Sequence, residues 1–244
     1  MKNWQRLRKE RRDITDYLIH WTKDLGTLLA ILDSGYLTPT FAPVYSVYAK
    51  EKRDTIKGPI PAVCFTEQPL DCFYRACKLG IARYRPYGIV VHKYALYAYG
   101  GRPVIYGDDS VLEALPDNLK YLWVGYDPIP NQEGYPLDFT HEREWRCIVN
   151  LNSQFGYTDM PNEGVPILLP WDAYHDHDSY RFRIIVKERD EKDYISELVE
   201  PKPARSKILR DYFSRLSEAP VVSIGEVGDL IHKLQPTSLR FEDI

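Results

Sequence analysis

Short apolar runs, each bounded by polar or turn-forming residues, recur along the chain and alternate with stretches of helical spacing. Four of these runs predict strands, at 17–21, 60–65, 87–92 and 142–150. Residues 24–32 carry apolar side chains at helical spacing, and Gly35 follows them as a helix stop signal. Strands interleaved with helices in this way predict an α+β fold.

The remaining segments carry the same two kinds of signal. They predict strands at 103–106, 166–169, 180–187 and 221–222, and helices at 2–12, 72–76, 94–99, 193–198 and 205–216. Residues 38–60 are rich in Pro, Tyr, Lys and Gly, and predict a loop that can cover a site. Pro201-Lys202-Pro203 is the best linker candidate. We therefore expect one domain over 1–200 and a helix-and-strand appendage over 201–244 packed on it.

Composition narrows the class of protein. A chain of 244 residues fits one large domain, and a net charge of −3 argues against a dedicated nucleic-acid coat protein. The basic run at 2–12 is expected to form a solvated helix, with a nucleic-acid or partner contact as the alternative.

No stretch has the roughly 20 apolar residues of a membrane span, and no signal-peptide core follows the basic start. The four cysteines include no CxxC pair. We expect a soluble, cytoplasmic protein without disulfides or membrane contact.

Polar side chains at the end of the first predicted strand form the first candidate site. Strand alternation places His20 and Thr22 on one face and Trp21 on the other. Two hydrogen-bonding side chains then point into one opening. A histidine satisfied within the core is the competing interpretation of His20.

The second candidate lies where the strand at 60–65 feeds a helix through Thr66-Glu67-Gln68-Pro69-Leu70. Backbone amides at the start of a helix attract anions, so a pyrophosphate or carboxylate fits there. The alternative is that Thr66 is simply the N-cap residue and that Glu67 complements the helix dipole.

The third candidate is the segment 138–149. Strand alternation predicts Glu142, Glu144 and Arg146 on one face. An exposed cross-strand ladder of charges is one interpretation. If the face lines a cleft, one carboxylate can accept a hydrogen bond from a sugar hydroxyl while Arg146 keeps it ionised.

Two weaker signals complete the candidate chemistry. Tyrosines at several positions can stack on nicotinamide or adenine, although each is more often a core residue: Tyr36, Tyr45, Tyr48 and Tyr106. The run His175-Asp176-His177-Asp178 contains metal-ligating residue types, but one short run cannot complete a coordination shell, so we expect a polar turn and no metal.

Taken together, these motifs resemble a known family. His20-x-Thr22, the helix end from Ile31 to Leu37, the segment from Cys64 to Leu70 and Glu144-Trp145-Arg146 resemble the AbiGi-type abortive-infection proteins over about residues 14–190. The order of elements is also similar, more remotely, to that of the DarT-like ADP-ribosyltransferases. The resemblance implies a split β-sheet, mixed or antiparallel with flanking helices, that binds NAD in a central cleft.

The resemblance also implies roles for individual residues. His20 and Thr22 match the pair that holds the nicotinamide ribose and amide, and Thr66 lies in the second motif. Glu144 matches the glutamate that binds the ribose hydroxyl and stabilises the oxocarbenium-like state as nicotinamide leaves. Glu142-x-Glu144 is similar to the E-x-E turn of arginine-directed members, in which the first acid assists the acceptor. Where DarT-like enzymes carry an arginine after the second-motif strand, this chain has Thr66 and Glu67.

We therefore expect an NAD-dependent ADP-ribosyltransferase-like protein of a phage-defence or toxin–antitoxin system. It would use NAD as substrate and transfer ADP-ribose to a nucleic-acid or protein acceptor, with His20 and Glu144 sharing one sugar-sized hollow. The alternative is a non-catalytic member of the same fold that binds a nucleotide, a nucleic acid or a cognate toxin or antitoxin partner. A metal-dependent nuclease that uses the run 175–178 is the third hypothesis.

Overall fold

The computed structural model describes residues 14–41, 43–46, 51–78, 86–129, 137–149, 164–167, 183–198, 219–227 and 229. The chain forms two compact units, and each is assembled from segments that are distant in sequence. Unit 1 comprises residues 1–35, 67–95 and 167–244, and unit 2 comprises residues 36–66 and 96–166.

The regular elements of the described residues are short. The strands are β1 (Tyr17–Thr22), β2 (Tyr36–Leu37), β3 (Pro43–Ser46), β4 (Glu51–Asp54), β5 (Val63–Thr66), β6 (Tyr87–His92), β7 (Arg102–Pro103), β8 (Ile105–Gly107), β9 (Trp123–Gly125), β10 (Glu144–Cys147), β11 (Val165–Pro166), β12 (Arg183–Val186) and β13 (Val221–Ser223). The helices are α1 (Leu25–Ser34), α2 (Leu70–Lys78), α3 (Lys93–Tyr99), α4 (Asp109–Ala114) and α5 (Asp190–Leu198). Short 3-10 turns occupy Lys120–Leu122 and Thr140–Glu142.

Unit 1 contains a mixed sheet in the strand order β13-β12-β6-β1. β6 pairs antiparallel with both β1 and β12, whereas β12 and β13 run parallel. One core cluster forms around this sheet, because the apolar residues of its strands and of α2 are buried together: Tyr17, Ile19, Leu70, Phe73, Val90, Ile185, Val222, Ile224 and Val227. The sheet of unit 1 thus extends into the last quarter of the sequence.

Helix α1 illustrates how local chemistry sets element ends. The Asp24 carboxylate accepts a hydrogen bond from the Thr27 amide at 2.7 Å, so Asp24 is the N-cap. Leu28 and Leu32 are buried. Gly35 ends the helix in the left-handed conformation, with φ at 78°, and its amide bonds the Ile31 carbonyl. This helix and its glycine stop confirm the sequence prediction.

Unit 2 contains an antiparallel sheet in the order β5-β10-β7. Three further pairs accompany it: β2 with β11 and β3 with β4 are antiparallel, and β8 with β9 is parallel. Its core cluster is small and consists of Ile56, Ala62, Tyr121 and Leu122. Sheets of mixed direction together with short helices confirm the predicted α+β class.

Several predicted boundaries are wrong. The loop predicted over 38–60 contains the antiparallel pair β3 and β4, whose pairing rests on main-chain hydrogen bonds that need no apolar alternation. The strand predicted over 142–150 begins only at Glu144. The strand predicted over 103–106 is divided between β7 and β8.

The predicted helices at 2–12 and 205–216 and the linker at 201–203 lie outside the described residues. Within the predicted appendage, β13 pairs with β12 in the sheet of unit 1. No helix in the described part of the chain is long and apolar enough to cross a bilayer.

Candidate functional site

Four of the predicted site residues lie together in unit 2, where β5 pairs with β10. Glu144 is opposite Thr66, and Arg146 is opposite Cys64. Residues opposite one another in an antiparallel pair project their side chains from the same face. This face therefore presents an acid, a guanidinium, a hydroxyl and a thiol side by side, and Tyr106 and Glu142 adjoin it. We call Cys64, Thr66, Tyr106, Glu142, Glu144 and Arg146 the Glu144 cluster.

The ion pair of Glu144 and Arg146 is the most constrained contact of the cluster. Arg146 Nε donates to Glu144 Oε1 at 2.8 Å. Its Nη1 donates to the carbonyl oxygens of Tyr121 and Trp123 at 2.6 and 3.0 Å. Arg146 is only 2% exposed, whereas the side chain of Glu144 is 13% exposed. The buried cation thus fixes a carboxylate that is not itself sealed from solvent.

Tyr106 supports Glu144 from the main chain. The Glu144 amide donates to the Tyr106 hydroxyl at 3.1 Å, and the hydroxyl donates to the Phe139 carbonyl at 3.3 Å. Burial raises the pKa of Tyr106, and the negative charges of Glu144 and Glu142 raise it further. The phenol is therefore protonated at neutral pH.

Glu142 does not lie on the strand, which corrects the prediction that Glu142, Glu144 and Arg146 alternate on one strand face. Glu142 ends a 3-10 turn, and Arg143 then adopts a left-handed conformation with φ at 45°. One left-handed residue breaks the period-two alternation. The Glu142 carbonyl accepts the hydroxyl hydrogen of Thr66, and its side chain is 16% exposed. The turn, and not strand alternation, brings both acids to Tyr106.

Thr66 is not the N-cap of the following helix, which was the alternative interpretation of this residue. Helix α2 begins at Leu70, four residues later, and the Thr66 hydroxyl bonds the main chain of Glu142 instead. Thr66 joins the end of β5 to the turn that carries the second acid.

Cys64 was missed as a member of this cluster. Burial raises the pKa of its thiol, and the neighbouring Glu144 carboxylate raises it further. The thiol is therefore neutral and a poor nucleophile. Only the pairing of β5 with β10 places it beside Arg146, and one strand's sequence does not reveal its partner's register.

His20 and Thr22 lie on β1 in unit 1. The Thr22 hydroxyl is buried and donates to the Asp24 carbonyl at 3.2 Å. His20 is half-buried. Trp21, on the opposite face, stacks on Phe73 with ring centroids 3.3 Å apart. The hollow shared by His20 and Glu144 stays a prediction.

Glu67 follows the second-motif strand, after which the DarT-like enzymes carry an arginine. Its carboxylate forms an ion pair with Lys93 in unit 1, with Oε1 2.6 Å from Nζ. Both side chains are largely buried, at 16% and 21% exposure. Lys93 therefore neutralises an acid that would otherwise repel an anion at the start of α2.

The other predicted residues are not part of the Glu144 cluster as described. Tyr36 lies on β2, which pairs with β11 in a separate two-stranded sheet. Tyr48 and the run 175–178 lie outside the described residues, and the Tyr45 side chain is likewise not described. Among the residues that the structure does describe, no group of three or more His, Cys, Asp or Glu side chains is placed to hold a metal ion.

The Glu144 cluster holds one partly exposed carboxylate against a buried guanidinium, with the second acid two residues earlier in the chain. No family model, curated protein or solved structure matches this chain significantly.

Proposed function

We propose that this chain is an NAD-dependent ADP-ribosyltransferase-like protein with Glu144 as its catalytic carboxylate. It cleaves the nicotinamide–ribose bond of NAD and transfers ADP-ribose to a macromolecular acceptor. The resemblance to AbiGi-type and DarT-like proteins places this activity in phage defence or a toxin–antitoxin system. The proposal includes the fold of that family, which is a split β-sheet.

The observation that carries the proposal is the state of Glu144. One carboxylate oxygen bonds the buried Arg146 guanidinium, while the side chain keeps some exposure. The ion pair with Arg146 restrains the orientation of this carboxylate. Positive charge develops on the ribose as nicotinamide leaves, so a fixed negative group acts mainly on the transition state.

The remaining roles are those that the family resemblance implies. Glu142 assists the incoming acceptor from the turn beside Tyr106. His20 and Thr22 hold the nicotinamide half of NAD. The charges of Glu67 and Lys93 offset each other in a largely buried ion pair. The backbone amides at the start of α2, whose first turn also carries Asp71, provide the attraction for the pyrophosphate.

The test is nicotinamide release from NAD by the purified full-length chain, measured by mass spectrometry. We expect release by the wild type, and a fall of about 100- to 1,000-fold in Glu144→Gln, because the amide retains the shape of the side chain and loses its charge. Glu113→Gln is the matched control, since Glu113 is an exposed acid on α4, and it should equal the wild type. Equal rates for Glu144→Gln and the wild type would refute the assignment.

A specific observation favours a second function, a non-catalytic binding member of the same fold. The hydroxyl hydrogens of Thr22 and Thr66 are both donated to main-chain carbonyls, so neither hydroxyl donates to a ligand in this arrangement. Calorimetric titration with NAD separates the two functions. Heat of binding without any nicotinamide release identifies a binding protein, and release identifies the enzyme.

A further inference from the structure

Tyr106 stands where the hydrogen-bonded ladder beside Glu144 ends. β7 pairs with β10 through two residues only, Arg102 opposite Arg146 and Pro103 opposite Trp145. The Val104 amide still donates to the Glu144 carbonyl at 3.0 Å. Beyond it the chain enters β8, and the Tyr106 hydroxyl accepts the Glu144 amide hydrogen. The Tyr106 side chain thus provides the hydrogen-bond acceptor for the main-chain amide of Glu144 at the end of the ladder.

The same hydroxyl also reaches the other side of the turn. It donates to the carbonyl of Phe139, the residue before the 3-10 turn that ends at Glu142. One hydroxyl therefore ties the start of β10 to the start of the turn. This tie fixes both ends of the segment from Phe139 to Glu144, which contains both acids of the Glu144 cluster.

Tyr106 is itself held by the β8–β9 ladder. Tyr106 lies opposite Val124, and Ile105 lies opposite Trp123. The Trp123 carbonyl also binds the Arg146 guanidinium. β9 consequently supports Glu144 in two ways. It supports the main chain of Glu144 through Tyr106 and the carboxylate of Glu144 through Arg146.

The protonation of Tyr106 fits this use of its hydroxyl. Burial raises the pKa of the phenol, and the nearby charges of Glu144 and Glu142 oppose its ionisation. A protonated phenol can donate to Phe139 and accept from Glu144 at the same time. A phenolate could not do both.

We propose that Tyr106 is a positioning residue, whose hydroxyl fixes the main chain of Glu144 and thereby the approach of its carboxylate to the ribose. This inference rests on the proposed function of Glu144. It replaces the sequence-based expectation that the Tyr106 ring stacks on nicotinamide or adenine.

Tyr106→Phe separates the two roles, because phenylalanine keeps the ring and loses the hydroxyl. We expect kcat for nicotinamide release to fall about 10- to 100-fold, since a small misplacement of a reacting group carries a cost of this size. KM should stay within about threefold of the wild type, because ring contacts are retained. Tyr97→Phe is the control: Tyr97 is half-exposed, and its ring lies under the Arg102 guanidinium. It should match the wild type. An unchanged kcat, or a change in KM alone, would overturn the inference.

A second measurement needs no NAD. Hydrogen exchange of the Glu144 amide should be about tenfold faster or more in Tyr106→Phe, because the amide loses its acceptor. The amide of Val90, buried in β6 of unit 1, should exchange as in the wild type. Unchanged exchange at Glu144 overturns the inference whatever the kinetics. A wild type that releases no nicotinamide overturns the proposed function instead, and the exchange result alone then decides whether Tyr106 holds Glu144.

Discussion

At the scale of single residues, a buried guanidinium dominates the energetics of the site. Arg146 is 2% exposed, and its guanidinium donates hydrogen bonds to one carboxylate and two carbonyl oxygens. Removing either member of a buried ion pair leaves the other charge uncompensated in a poorly solvated place. The cluster is therefore expected to respond more strongly to the loss of Arg146 than to any surface charge.

Arg146→Met tests this expectation, because methionine fills much of the same volume without charge. We expect the free energy of unfolding to fall by about 3–5 kcal/mol, measured by urea denaturation. In the control, Arg189→Met removes a surface pair with Asp229 whose side chains are 64% and 57% exposed, so the change should be about 1 kcal/mol or less. The double variant Arg146→Met, Glu144→Leu should recover part of the loss. Equal costs at Arg146 and Arg189 would contradict the argument.

Arg143 shows why the residue-scale site was only partly predictable. In the part of the chain that the structure describes, it is the non-glycine residue with positive φ. Its left-handed backbone conformation is strained, and L-residues rarely adopt it. Sequence alternation assumes an extended chain, so it placed Glu142 on the strand and missed the turn. Glu144 and Arg146, which lie beyond Arg143, were placed correctly on a shared face.

At the scale of elements, a capping box joins β13 to the helical turn that follows. The Ser223 hydroxyl accepts the Glu226 amide hydrogen at 3.2 Å, and the Glu226 carboxylate accepts from the Ser223 amide at 2.9 Å. Lys192 on α5 donates to the same carboxylate. The Ser-x-x-Glu spacing of Ser223 and Glu226 is the sequence signature of this capping box.

The stability conferred by Glu226 should depend on pH. Burial works against the ionised form, but the Lys192 ammonium and the Ser223 bonds outweigh it and lower the pKa of Glu226. The ionised side chain therefore stabilises the fold above its unfolded pKa near 4.5, and this contribution is lost as the pH falls through the lower folded pKa. In urea denaturation, the difference in unfolding free energy between the wild type and Glu226→Gln should be largest at pH 7. It should disappear below about pH 4.

Glu188→Gln is the control for this series. Glu188 is an exposed acid whose carboxylate pairs with the exposed Lys187 at 2.9 Å. Its substitution should produce a smaller gap at pH 7 than that of Glu226. A gap for Glu226→Gln that persists unchanged to pH 3 would exclude the capping role.

At the scale of the whole molecule, the end of the chain contributes to the core of unit 1. Val222, Ile224 and Val227 are buried in the cluster that also holds Phe73 and Ile185. The linker signal at Pro201-Lys202-Pro203 predicts that residues 201–244 form an appendage packed on the main domain. Within that range, the strand β13 pairs parallel with β12 in the sheet of unit 1.

Removal of residues 201–244 should therefore damage folding. Each of the three buried side chains contributes roughly 1.5–3 kcal/mol by burial, which together is comparable with the roughly 5–15 kcal/mol stability of a typical domain. We expect the shortened chain to lose near-UV circular dichroism and cooperative urea unfolding. Val222→Ala in the full chain should lose only about 2 kcal/mol and remain folded. A shortened chain with the wild-type unfolding midpoint would show that the segment is dispensable.

Elements whose ends are set by local chemistry could be predicted from the order of residues alone. β6 follows from the continuous apolar run at 87–92, and α1 follows from its apolar spacing, with Gly35 at its end. Both depend on interactions within a few residues, which a pattern of side chains records. The α+β class follows from the order of such elements.

Contacts between residues that are distant in the chain depend on the three-dimensional fold. The pairing of β5 with β10 brings Cys64 to Arg146, and the β8–β9 ladder carries Tyr106 to the amide of Glu144. Register and turn conformation are set by main-chain hydrogen bonds and by burial against other segments, and neither leaves a periodic trace in the local sequence. Glu144 and Arg146 lie two residues apart on one strand, so their pairing could be predicted from the sequence. The Tyr106 hydroxyl and the carbonyls of Tyr121 and Trp123 are brought to them by long-range packing.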